Sequence, residues 1–147
     1  MLAFFTALHA LAAALWIGGI FFAFMVLRLT APPEPGVRLA LWARTFTRFF
    51  PWVWLFIAAL IVSGYSLLAQ GVHRGWTIDA MQAIGWLMFL LFAYLSLRLL
   101  PALKRGIEAN DLPAAGAVMA KMRPLIATNL ALGLLVIALG ASARYLS

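Results

Sequence analysis

The stretch whose reading decides the fold is LAFFTALHALAAALWIGGIFFAFMVLR, residues 2–28. At about 1.5 Å of rise per residue, a helix over it is long enough to cross a hydrocarbon core of about 30 Å. No charge interrupts the run before Arg28, so it predicts a membrane-spanning helix that holds one ionisable side chain, His9. With about 100° between successive residues, His9, Trp16 and Ala23 fall on nearly one line, flanked by Ala12, Ala13, Gly19 and Ile20. An ionisable group facing lipid would be stranded, which makes this line the inward face.

Outside this stretch the composition points the same way. The chain has 147 residues, 66% hydrophobic and 10% charged, a balance that soluble domains do not have. The net charge of +7 comes from cations spread over the ends of apolar runs, where they anchor helices. The expected partner is therefore a lipid bilayer and not nucleic acid. Cysteine is absent, which excludes disulfides, thiolate metal sites and iron–sulfur clusters. The first run lacks a basic leader and is too long for a cleaved signal, so it is expected to remain in the mature protein.

After the first span, at about 2–28, the three prolines of TAPPEPG (30–36) force a loop. VRLALWARTFTRFF (37–50) mixes arginine with Trp and Phe, the composition of a helix lying at a basic interface and bending at Pro51. Further spans are expected at about 51–69, 77–103 and 123–145. In the last of them Asn129, Gly133, Val136 and Gly140 share one face suited to close helix contact. No repeat or low-complexity linker divides the chain, so the expectation is a single domain over 1–147. Its fold class is all-α, an integral membrane antiparallel four-helix bundle. Cations concentrate in the first and third connections, which predicts both termini outside and a bacterial inner membrane location.

This orientation gathers His9, His73, Arg74, Asp79, Met81 and Gln82 at one outer mouth. Imidazole, carboxylate and thioether make His9, His73, Asp79 and Met81 candidate copper ligands. Each has a plainer reading as well. A turn histidine needs no partner, Asp79 can complement a helix dipole, and Met81 with Met88 can simply pack. His9 stands apart because of its membrane depth, and an imidazole above a groove of small residues also suits an axial haem ligand, with Trp16 and Gly19 lining the cofactor. Trp16 and Gly19 can equally serve helix contact, and His9 can be bonded to a carbonyl or serine. No nucleophile triad, nucleotide loop or zinc-protease motif is present, which speaks against a hydrolase or a nucleotide-driven pump.

In LHALAAALWIGGIFFAFMVLR and again in MRPLIATNLALGLL (122–135) the sequence resembles the CopD family of copper-associated membrane proteins. The shared pattern is a histidine followed by W-x-G-G in one helix and polar punctuation in the last. That resemblance implies a four-helix core and a copper association. A periplasmic copper carrier or redox partner and a second copy of the chain are separate candidate partners. In length and helix layout the chain is also similar to HemJ-type protoporphyrinogen oxidases, in which a first-helix histidine binds b-type haem; His9 matches that position. The lysine that this second family carries after a tryptophan has no counterpart in Trp76 to Met81. Copper binding, haem-dependent redox chemistry and a non-catalytic accessory subunit all remain open at this point.

Overall fold

The structure is a computed structural model that describes residues 1–71 and 75–146. Four helical rods, each long and apolar enough to cross a membrane, make up an antiparallel all-α bundle. They are α1 (Leu2–Thr30), α2 (Pro35–Ala69), α3 (Trp76–Glu108) and α4 (Leu112–Leu146). Antiparallel order puts the start of α1, the end of α2, the start of α3 and the end of α4 at one end of the bundle. The short connections 31–34 and 109–111, with the arginine-rich helix ends that flank them, lie at the other, basic end.

The region 37–50 departs from the expectation of a separate interfacial helix. It is continuous with the second span, and Pro51 lies inside the helix. The reason is packing. Leu39, Trp42, Ala43, Phe46 and Phe50 recur on one face and are buried in the core, so a face that could have rested on lipid headgroups rests on neighbouring helices instead. The segment between the expected third and fourth spans is mostly helical, and only 109–111 lie between α3 and α4. This turn is closed by backbone chemistry. Asn110 takes a left-handed φ of 55°, its N–H donates to Ile107 O at 3.0 Å, and Asp111 N–H donates to Gly106 O at 2.9 Å. These are the paired bonds of a Schellman C-cap. Asp111 then caps α4, its Oδ1 accepting from Ala114 N–H at 3.0 Å.

Within the bundle α1 packs along α2 and α3 along α4, and α1 also meets α4. In lipid the association of helices depends on fit more than on exclusion of water. The α1–α4 seam is correspondingly close: a Cβ at Gly133 would overlap the Ile17 side chain and stand 3.2 Å from Met88 Cε. By contrast, α2 and α3 are held apart by aromatic side chains. Trp54 of α2 sits edge-on between Phe89 and Phe92 at centroid distances of 5.7 and 5.3 Å, and its indole N–H donates to Ser96 Oγ at 3.0 Å. Phe92 also takes Phe50 at 5.1 Å and Trp16 at 6.1 Å. This aromatic layer divides the bundle. Toward the basic end the core is filled by Phe46, Leu103 and Met122 among others, whereas toward the terminal end it opens into a cavity.

Candidate functional site

The cavity has a volume of about 270 Å³ and is walled by all four helices. It forms because the bulky plug at Trp54 spreads α2 from α3 while small residues keep the other seams tight. His9 and Trp16 enter it from α1, Gly64 and Tyr65 from α2, and Met81 and Met88 from α3. Among the described residues its wall is otherwise almost wholly aliphatic and aromatic, with no Asp, Glu, Lys or Arg.

His9 is fixed by α2. Its Nδ1 lies 2.9 Å from Ser63 Oγ, and Ser63 is completely buried. The Ser63 hydroxyl has a single proton, and its Oγ stands 2.6 Å from the Ala59 carbonyl one turn back. Since the carbonyl can only accept, the hydroxyl donates there and accepts from His9 Nδ1–H. The Leu60 carbonyl, 3.3 Å from the same Oγ, is likewise only an acceptor for the serine proton. This network assigns the proton to Nδ1 and leaves the lone pair on Nε2, the arrangement of a histidine ready to ligate a metal. Gly64 makes room for the ring: a Cβ there would come within 3.3 Å of His9 Cε1.

The two methionines are seated against glycines of α4. A Cβ at Gly140 would lie 3.2 Å from Met81 Cε, and one at Gly133 the same distance from Met88 Cε. Met88 thereby packs as a buried core residue, whereas Met81 is only half-buried, and both belong to the cavity wall. At the mouth, Gln82 Nε2 donates to Tyr65 OH at 2.9 Å, tying α3 to α2. Trp16, 3% exposed, has a buried Nε1–H with no hydrogen-bond partner among the described residues.

Of the residues singled out from the sequence, His9, Trp16 and Met81 are brought to one cavity. Gly19 is not; it faces the Phe49 ring, which a Cβ would strike, and so serves the α1–α2 contact. Asp79 lies in the first turn of α3, is exposed, and does not line the cavity. His73 falls outside the described residues. No group of three or more His, Cys, Asp or Glu side chains suited to a metal occurs among the described residues, so any ion held here would rest on imidazole and thioether. Ser63 and Gly64 were not foreseen as site residues. Their signal was a Ser-Gly pair inside an apolar run, as far from the terminal end of α2 as His9 is from that of α1.

A family model described as Copper resistance protein D matches residues 43–143. The matched segment takes in Ser63, Met81, Met88 and Gly133 and leaves out α1 with His9. No curated protein matches the chain, and no solved structure does.

Proposed function

The chain belongs to the copper resistance protein D family, and from that premise we propose that it binds copper as Cu(I) in the cavity between the four helices. His9 Nε2 is the principal ligand and Met81 the thioether partner, with Met88 deeper on the same wall. The observation that carries this reading is the bond from His9 Nδ1–H to Ser63 Oγ, which turns a membrane-buried imidazole into an oriented lone-pair donor. Imidazole and thioether together suit Cu(I). The uncharged wall favours the same oxidation state, because the cost of bringing an ion out of water rises with the square of its charge.

The closed aromatic layer below the cavity supports binding and release at one face over conduction through the bundle. By the distribution of cations that face is the outer one, where a periplasmic copper carrier or a redox partner would meet it. Copper is favoured over haem because the family is a copper-associated one and an imidazole beside thioether sulfur suits Cu(I).

The test is His9→Gln. Glutamine keeps a polar group that can bond across helices but lacks the imidazole. Cu(I) affinity, measured by competition with a chromophoric chelator on detergent-purified protein, is expected to fall at least a hundredfold while the melting temperature stays within a few degrees. Full copper retention by the variant would remove His9 from the site, and a Soret band in the purified wild type would replace copper with haem.

A further inference from the structure

At the basic end of the bundle, two arginines from different helices flank one notch. Arg28 of α1 and Arg123 of α4 line a small cleft together with Ala23, Phe24, Trp42 and Met119. Arg28 is there because α1 changes its winding. Over Phe22–Leu27 the helix is π-helical, and the N–H of Arg28 donates to Ala23 O, five residues back. Regular α-helical winding would carry Arg28 about 140° away from Ala23, whereas π winding, at about 80° per residue, brings it to within about 40°. Ala23 is on the buried face, so the wide turn swings Arg28 toward α4. Its guanidinium then rests over the Phe24 ring, 4.8 Å from the centroid. On α4, Arg123 lies on the same face as the buried Met119 and Ile126.

No ion pair to either arginine occurs among the described residues, so two like charges stand at one cleft without a counter-charge. Both also mark membrane boundaries: Arg28 ends the apolar run of α1, and Arg123 precedes that of α4. The cleft itself holds only about 10 Å³, too little to enclose a ligand, so an anion held by both arginines would rest at its rim. Around the helix from it α1 exposes Phe22 and Val26 to the surroundings, apolar surface on which acyl chains can lie.

We propose that this notch is a binding site for the phosphate of an anionic phospholipid, clamped between Arg28 and Arg123 with its acyl chains along the exposed face of α1. Guanidinium pairs suit phosphate oxygens, and basic pockets between helices at one membrane face are the recurring setting for such headgroups. The site lies at the opposite end of the bundle from the His9 cavity and does not depend on copper.

Native mass spectrometry of the detergent-purified full chain, titrated with phosphatidylglycerol or with phosphatidylcholine, tests this. One phosphatidylglycerol is expected to bind preferentially, and the double variant Arg28→Gln, Arg123→Gln to bind it roughly tenfold to thirtyfold more weakly. The double variant Arg44→Gln, Arg48→Gln removes the same charge from exposed positions of α2 and is expected to bind as the wild type does. Equal weakening in the two variants would overturn the site in favour of diffuse attraction, as would equal binding of phosphatidylcholine. Inorganic phosphate is expected to displace the lipid only weakly; full displacement at matched concentration would replace the lipid with free phosphate. Circular dichroism of both variants without lipid is expected to match the wild type, and a loss of helicity confined to the Arg28, Arg123 variant would assign these arginines to folding and overturn the proposal.

Discussion

Ser63 accepts a hydrogen bond from His9 across 54 residues of sequence, at 2.9 Å, while giving its own proton to Ala59. The serine thus chooses which imidazole nitrogen is left for a ligand. Ser63→Ala removes that choice with little change of volume. Outer-shell partners of this kind typically govern tenfold to a hundredfold in metal affinity, whereas a membrane hydrogen bond contributes only about 0.6 kcal/mol to stability. Cu(I) affinity is therefore expected to drop at least tenfold with the melting temperature nearly unchanged. Competition titration and thermal unfolding on one preparation check both, and unaltered affinity would reduce the bond to interhelical packing.

Met81 serves two roles that substitution can separate. Met81→Leu conserves apolar volume against Gly140, a change that usually costs under about 1.5 kcal/mol. The fold is expected to persist, Cu(I) affinity to fall about tenfold, and sulfur scattering to weaken in the X-ray absorption spectrum of the copper-loaded protein. Undiminished sulfur scattering in the variant would assign Met81 to packing alone.

Two glycines of similar appearance in the sequence are expected to respond oppositely. At Gly133 an added methyl meets Ile17 and Met88 across the tight seam, whereas at Gly18 nothing lies within 4 Å. Gly133→Ala is expected to destabilise the bundle by about 1–3 kcal/mol through overpacking. Gly18→Ala is expected to be neutral or slightly stabilising, since alanine restricts the unfolded chain. Detergent-titrated unfolding of the two variants side by side measures the contrast, and equal stability would show that the seam yields.

The orientation has its own test. Cations cluster at the end of the bundle remote from the termini, so both termini are expected outside. Periplasm-active and cytoplasm-active reporters fused to the C-terminus distinguish the two arrangements. A cytoplasmic signal would move the His9 cavity to the inner face and with it the side from which copper is taken.

The sequence by itself determined the four spans and the inward line of α1, because an 18-residue apolar run has few alternatives and a 3.6-residue period fixes which side chains share a face. The glycine face of α4 was legible for the same reason, and Gly133 and Gly140 do meet neighbouring helices. What only the tertiary structure decided was how these faces are phased and spaced against each other. The amphipathic pattern of 37–50 fits a membrane surface and a helix groove equally well, and the burial of Trp42, Phe46 and Phe50 made the difference. Gly19 lies on the edge of the His9 line yet turns to Phe49, and the π-helical turn after Phe21 breaks the regular phase that would have placed Arg28. The pairing of His9 with Ser63 likewise depends on the relative depth of α1 and α2. Periodicity describes a helix about its own axis; the rotation and depth of its partners come from side-chain fit at seams such as Ile17 on Gly133 and Trp54 against Phe92, which no single stretch of sequence contains.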